Sequence, residues 1–570
     1  MAKAIFINAE CTTNPFQKEF ARLLEPLVLA KQIVVVFGLR ELEEAAFIIQ
    51  GQPALLLIAV KELILIGPNH TPGRTACFSC LLHWLTIAGF NSDEPAVMPD
   101  ISEARLAADL VTLFCSEDSE DKWDCRNTIH TFALSGRDHF VHPIYPLQDC
   151  RVCSLIKPLH KYELRIHCSP FTGIVKTVSI TSTPRAGAYR ARATWNSPLS
   201  AKDKKPLLRV QESHGRGTTR ENAELGCIGE ALERYSLVRR GDEPLHRARL
   251  AEVRGIDPRR ILLYSDLQYE TRDQWNSTAD DRYFVGERFD PNEPIEWLPA
   301  VDLTDGSSIF VPAACTLMWY MFSASEKEYA RADSIGCGSG WTFEDALEHA
   351  LLEWIERDAM AIWWYNRLGR PAICLDSLNA PELLEVREGL RRIDRDLVIL
   401  DCTTDIGVPA YISIAARTDG TEPLFAGAAH PSPRVAAWKA ASEVGQLWFT
   451  IVQNESIDIE MKSWLENTIH TQQFLKPTHI IDAPPEPAPM SAGEQVRLLV
   501  GRLESVGLTS YAVDLSRSDV VLKTARAIVP GLRHIWSRRA PGRLYDVPVR
   551  LGWLKEPLRE CELNPICCMI

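Results

Sequence analysis

Two five-residue runs place acidic and basic side chains at one spacing. Glu230-Ala-Leu-Glu233-Arg234 and Glu353-Trp-Ile-Glu356-Arg357 each set two carboxylates three residues apart, then add an arginine. On a helix, residues three apart are neighbours on one face. Four carboxylates from two helices, converging on one cleft, make a site too negative to stand alone. Magnesium ions bridging to nucleotide phosphates neutralise such a site, because magnesium favours a few carboxylates plus phosphate oxygens over an all-protein cage. Either run alone also fits an amphipathic helix with solvated Glu and Arg. The recurrence, and what precedes each run, favour the shared site.

Glycine loops precede both runs. Ser213-His-Gly-Arg-Gly217 stands before the first and Asp333-Ser-Ile-Gly-Cys-Gly-Ser-Gly340 before the second. Glycines permit close backbone approach to phosphates, and Arg216 adds charge. Most short Gly-x-Gly segments are plain turns, so these gain weight only from their place before Glu230 and Glu353. Asp345 and Glu348 fall broadly on the side of Glu353 and Glu356, although Glu348 equally fits a solvated neighbour. His349, Trp354, Trp363 and Trp364 read as packing residues rather than ligands. There is no Walker A pattern and no kinase signature set. The parts are nonetheless those of phosphoryl transfer: carboxylates for metals, arginines and glycine loops for phosphates.

Cys77-Phe-Ser-Cys80 and Cys150-Arg-Val-Cys153 are two C-x-x-C pairs. A two-residue gap lets both thiolates of a knuckle reach one metal, and four thiolates close the tetrahedron of structural zinc. The 69 residues between the pairs exceed the usual ribbon spacing. Four unrelated reduced cysteines remain an alternative, and Cys115 and Cys125 are competing ligands.

A chain of 570 residues is expected to form two or more domains. Its net charge of -13 argues against a nucleic-acid protein, which would carry a basic stripe. No apolar run is long enough for a membrane span, and the start lacks a secretory pattern, so a cytoplasmic protein is expected. The fold class is α/β (α+β). Residues 1–160 read as a small α/β unit with strands at Val34–Phe37, Ala54–Val60 and Leu63–Ile66 and a helix at Leu81–Ala88. Beyond 165, strands are expected at Gly173–Thr181, Leu397–Cys402 and Pro409–Ala416. Helices are expected over Arg220–Arg240, Thr342–Arg367 and Pro433–Ile451. Segments 100–125 and 455–490 read as surface excursions.

At these residues the chain resembles the YcaO superfamily, and within it the cyclodehydratases that form thiazoline and oxazoline rings in ribosomal peptides. Ser213–Arg234, Asp333–Asp358, Leu400–Pro409, Gly427–Gln446 and Ala540–Pro565 carry the likeness. Pro541-Gly-Arg-Leu-Tyr-Asp-Val-Pro-Val-Arg-Leu-Gly-Trp553 is especially typical. The resemblance covers 165–570 as an ATP-dependent cyclodehydratase domain. The segments around Cys77–Cys80 and His142–Cys153 resemble the zinc-carrying, ThiF-like region often fused to it, placing a truncated ThiF-like zinc-binding domain at 1–160.

That resemblance implies a specific chemistry. A Cys, Ser or Thr side chain of a precursor peptide attacks the preceding amide carbonyl, and the oxyanion takes the γ-phosphoryl group of ATP. Loss of phosphate leaves the azoline. Magnesium ligands map onto Glu230, Glu233, Glu353 and Glu356, and nucleotide contacts onto Arg357 and Asp345. Arg526 maps onto a late functional arginine, and the zinc ligands onto Cys77, Cys80, Cys150 and Cys153. The resemblance also implies a separate leader-binding protein, a flavin dehydrogenase acting later on the rings, and a homodimer, with no nucleic-acid or membrane partner. Three departures stand out. Gly226 replaces a serine, Ser334-Ile-Gly336 replaces Ser-Asn-Gly, and Asn564–Ile570 replaces a proline-rich tail. In the family that tail reaches the active site, so either the Ile570 carboxylate takes its catalytic role or activity is altered. Thioamide or amidine formation, or a non-catalytic docking subunit, are the alternatives.

Overall fold

The computed structural model describes residues 164–568 except 184–187, 199–209, 218, 278–280, 324–325 and 454–462. Before 164 it describes 5–6, 15, 18–20, 22–24, 33–36, 42, 54–60, 63–70, 76–87, 104, 108, 128–133, 139–145, 147 and 150. The chain forms two compact units. One comprises Met1–Val178, Ala193–Ser213 and Ser518–Val521; the other comprises Ser179–Arg192, His214–Arg517 and Leu522–Ile570.

The first unit contains a six-stranded sheet in sequence order: β1 (Ile5–Phe6), β2 (Ile33–Val36), β3 (Ala54–Val60), β4 (Leu63–His70), β5 (Thr128–Ala133) and β6 (His139–Pro143). β1 to β3 are parallel and β3 to β6 antiparallel. The aliphatic runs of β2 and β3 match a parallel core. Helix α1 (Phe78–Ile87) starts earlier than the sequence suggests, because Leu81 N already reaches the Cys77 carbonyl at 3.1 Å. Cys77 therefore stands at the helix start and Cys80 in its first turn. Three further strands, β7 (Val175–Thr183), β8 (Ala188–Trp195) and β9 (Gln211–Gly217), form a sheet in that order.

The second unit is organised around two helices, α2 (Arg220–Leu237) and α3 (Phe343–Asn366). One sheet runs β10 (His246–Ala248), β11 (Ile295–Asp302), β19 (Tyr511–Asp514), β20 (Lys523–Ile528) and β13 (Cys337–Gly340), with β12 (Ser308–Pro312) paired to β11. The other runs β17 (Leu424–Ala429), β16 (Ala410–Arg417), β15 (Arg395–Asp401), β14 (Ala372–Ile373) and β18 (Ile480–Ile481). Both helices lie on β13 and β20, and α3 also packs against β16 and β17. α3 is thus covered on two sides, which is why its later part, Ala359–Tyr365, is apolar all round. Helix α4 (Pro381–Arg391) and the alanine-rich α5 (Pro433–Gln453) pack on each other, α4 beside β15 and α5 across β15 to β17, while α6 (Ala492–Ser505) packs on α3. No helix among the described residues is long and apolar enough to cross a membrane.

Of the expected surface excursion 455–490, residues 455–462 lie outside the described residues and most of 463–490 is exposed or half-buried, with three exceptions. Trp464, Phe474 and Leu475 are buried, and their rings close on the α3 tryptophans: Trp364–Trp464 at 5.0 Å and Trp363–Phe474 at 5.2 Å between centroids. Charged and proline residues around these rings masked the anchors. The described end of the chain is held on the same helix. Trp364 Nε1 donates to Ile566 O at 2.8 Å, and Asn564 N donates to Tyr365 O at 2.8 Å.

Asp358, directly after the second motif, is fully buried. Arg543, which opens helix α7 (Arg543–Arg550), meets it through Nη2 at 2.6 Å and Nε at 3.1 Å. The same guanidinium reaches Asp405 at 2.8 Å, and Arg533 N donates to Asp358 at 2.9 Å. Removing one partner of a buried pair leaves an uncompensated charge. Arg543→Ala is therefore expected to cost about 3–5 kcal/mol, read as a lower urea midpoint. An unchanged midpoint would deny the pair any part in holding α7 to α3.

Candidate active site

Each motif rides on a strand, a short loop and a helix, built alike. β9 leads into α2, capped where Thr219 Oγ accepts Asn222 N at 3.1 Å. β13 leads into α3, capped where Thr342 Oγ accepts Asp345 N at 3.1 Å and the Asp345 carboxylate accepts Thr342 N at 2.9 Å. A Cβ on Gly215 would lie 2.1 Å from Ala223 O, and one on Gly338 would lie 2.2 Å from Ala346 O. Each strand lies so close to its helix that only glycine fits. Gly215, Thr219, Glu230, Glu233 and Arg234 recur as Gly338, Thr342, Glu353, Glu356 and Arg357 at one constant offset along the chain.

The hydrogen bonds recur too. Arg234 donates to Glu230 and Glu233, each at 3.4 Å. Arg357 donates to Glu353 at 3.4 Å and Glu356 at 2.6 Å. The other oxygen of the first glutamate takes a backbone N–H from the preceding segment: His214 N to Glu230 at 3.0 Å, Gly336 N to Glu353 at 2.9 Å. Among the described residues, Oε2 of Glu233 and of Glu356 receives no hydrogen bond.

The two motifs face one space. Burial pushes Glu233 up to about 7; Arg234 opposes this, while Glu353 from the other helix and Glu230 add to it. Burial likewise pushes Glu356 up to about 7, against Arg357, with Glu443 and Glu353 adding. Arg234 is held above its ordinary value although burial opposes it, because Glu233, Glu230 and again Glu353 surround it. Between them stands Cys337, raised to about 12 by burial and, against Arg526, by Glu233 and Glu353. A set this crowded stays fully ionised only beside a cation, so the donors fit magnesium.

Sequence reasoning missed the third wall, helix α5. Arg216 pairs with Glu443 at 2.9 Å. Lys439 is lowered by burial, with Glu356 and Glu348 opposing. A Lys and a Glu four apart on one helix would have been the signal. Glu348 is buried rather than solvated, which raises it, and stands 4.0 Å from His430. His349 is exposed rather than packed, its Nδ1 3.1 Å from Ser339 O. Trp354, Trp363 and Trp364 are buried as packing residues. Asp345 is occupied by the cap.

Arg526, on β20, is buried; its Nη1 donates to Thr316 O at 3.1 Å and Asp333 O at 2.6 Å, so it clamps the second glycine loop from behind. Ile570 lies outside the described residues. Cys568, two residues before it, is buried and adds to the rise of Arg357. In the first unit the sulfurs of Cys77 and Cys80 are 3.7 Å apart, those of Cys77 and Cys150 3.5 Å, and all three lie within 4.8 Å of one another. Leu147 N donates to Cys80 Sγ at 3.4 Å. Cys153, Cys115 and Cys125 lie outside the described residues.

The sequence model of the YcaO cyclodehydratases, described as ATP- and Mg2+-binding, matches residues 214–533. That is more than half of the chain, and the chain belongs to the YcaO family. An uncharacterized protein of Methanothermobacter thermautotrophicus is 25% identical over 333 residues, 56% of this chain and 80% of the relative. A heterocyclase solved in complex with substrate and cofactor superposes with a TM-score of 0.84 at 26% identity, covering 99% of this chain and 85% of that one. The heterocyclase TruD superposes with a TM-score of 0.74 at 26% identity, covering 100% and 84%. The chain is an ATP-dependent peptide heterocyclase by class.

If Glu233 and Glu353 serve one ligand, their substitutions are not independent. Glu233→Gln and Glu353→Gln should each weaken ATP binding in magnesium, and the double variant should lose less than the two losses combined. Calorimetry over the four proteins checks this; strict additivity would separate the two motifs.

Proposed function

We propose that this chain converts Cys, Ser or Thr residues of a ribosomal precursor peptide into thiazoline or oxazoline rings, using ATP and magnesium. The observation that carries this reading is the shared field of the two motifs, in which Glu353 raises both Glu233 and Glu356. Glu230, Glu233, Glu353 and Glu356 would hold the magnesium, which supplies charge neutralisation for the nucleotide phosphates. Arg216, at the rim, would exchange Glu443 for phosphate, and Arg357 would lie against the nucleotide.

An amide oxygen is a very poor leaving group. In the proposed sequence the side-chain thiol or hydroxyl adds to the preceding carbonyl carbon and loses its proton. The resulting oxyanion takes the γ-phosphoryl group, releasing ADP. The amide nitrogen then gives up its proton and forms the C=N bond as inorganic phosphate departs. The protein contributes mainly position and charge stabilisation. The described tail, docked along α3 up to Cys568, supports an approach of the chain end to Arg357, and Ile570 would act there. The proposed partners are the precursor, a separate leader-binding protein and a flavin dehydrogenase, in the cytoplasm.

With ATP, magnesium and the cognate precursor, each ring formed should appear in the mass spectrum as the loss of one water, and Glu356→Gln should abolish it. ATP turnover without any loss of water would reject ring formation. Exchange of one oxygen for sulfur when sulfide is supplied would move the chain to thioamide chemistry.

We assign the cysteine cluster to a structural zinc held by Cys77, Cys80, Cys150 and Cys153. Four sulfurs about 2.3 Å from zinc stand about 3.8 Å apart on the tetrahedron edge, close to the separations seen. The Leu147 N–H supports a thiolate at Cys80. Elemental analysis should give one zinc per chain, and Cys77→Ser should lower both the zinc content and the melting temperature. A fully loaded Cys77→Ser protein would reject the assignment.

A further inference from the structure

The two N–H donors that hold the first glutamates are themselves held differently. His214 lies inside β9, where strand geometry fixes it. Gly336 stands just before β13 begins, at φ 76°, in the left-handed region. A Cβ there would fall 1.8 Å from Trp354 Nε1, so glycine is required twice over. The Gly336 carbonyl accepts Ala527 N at 2.8 Å. The turn leading into it is built on Asp333. Asp333 Oδ1 accepts Ile335 N at 2.8 Å, and its Oδ2 is 2.6 Å from His534 Nε2.

The tautomer of His534 follows from its other nitrogen. Nδ1 accepts Trp536 N at 3.0 Å, so the proton sits on Nε2 and is donated to Asp333. The ring is fixed beside Trp536 and Trp354, with centroids 5.1 and 6.3 Å away. A continuous path of contacts thus runs from His534 through Asp333 and the Ile335–Gly336 turn to Glu353. Burial pushes Asp333 up, but His534 and Arg526 outweigh it and keep the side chain a carboxylate.

We infer that Asp333 and His534 are positioning residues for the second motif: together they hold the turn that aims the Gly336 N–H at Glu353 and so set how Glu353 meets its metal. The inference rests on the reading of Glu353 as a magnesium ligand. Partners that orient a metal ligand from behind act on metal affinity, and losing one typically costs about 10- to 100-fold. The first motif has strand geometry in place of this pair, so the effect is confined to one half of the site.

Two substitutions separate positioning from packing. His534→Asn keeps an acceptor for Trp536 N but does not reach Asp333. His534→Gln reaches Asp333 but gives up the bond to Trp536. ATP affinity is measured by calorimetry across a magnesium series on the full chain, with melting temperatures recorded alongside. His534→Asn should raise the magnesium concentration for half-maximal ATP binding by about tenfold or more, while His534→Gln stays near the parent. Equal shifts in both, or a larger shift for Gln, would overturn the inference. If either variant is not folded, Asp333→Ala, which removes both bonds, is compared with Asp333→Asn, which keeps an acceptor for Ile335 N but turns a donor toward the Nε2–H of His534: both should raise the magnesium requirement, alanine by more, and a parent-like Asp333→Ala would overturn the inference. A parent protein with no magnesium-dependent ATP binding overturns the reading of Glu353, and this inference with it.

Discussion

Like charges crowd the centre of the second unit, and the surrounding structure exists to keep them there. Burial and neighbouring carboxylates drive Glu233 and Glu356 up to about 7 even against the arginines beside them. Each helix answers with its own arginine, four residues after the first glutamate and one after the second, so that one guanidinium touches both carboxylates. The glutamate precedes the arginine, the favourable order for such a pair on a helix. What the arginines leave uncompensated is the charge that a divalent ion and a triphosphate would share.

The repetition of strand, glycine, cap and motif makes the two halves alike, yet they differ in support. α2 has a mostly polar exposed face, whereas α3 is enclosed between β13/β20 and β16/β17. Aromatic rings from 455–490, the carboxylate clamp of α7 and the end of the described chain all converge on α3. A helix clamped from so many directions can hold carboxylates in place against their mutual repulsion. Arg526 and His534 belong to the same scheme, gripping the loop from behind through backbone and side chain.

Much of this was legible in the residues alone. The two motifs, the glycine loops and the helices over 220–237 and 343–366 follow from residue spacing. Family likeness supplied the rest of the chemistry. Distant partners stayed hidden. Asp358 meets Arg543 across 185 positions, and Asp333 meets His534 across 201, so no local pattern joins them. A hint was present in Asp358 itself: a carboxylate inside the apolar run that continues to Trp364 must find a cation or pay for its burial. The α5 wall was missed because Lys439 and Glu443 look like the solvated face of an ordinary amphipathic helix, and only the packing of α5 turns them inward.

The distance along the chain between Asp358 and Arg543 bears on how the protein is made. At about 5–20 residues per second, a ribosome that has just added the aspartate needs on the order of 10–40 s to reach its arginine. Throughout that interval a helix that is wholly apolar over Ala359–Tyr365 carries a negative charge without that arginine. Docking it early would strand that charge in a dry interior or force it to take up a proton. Asp358 thus ties the finished core around α3 to a segment synthesised 185 residues later.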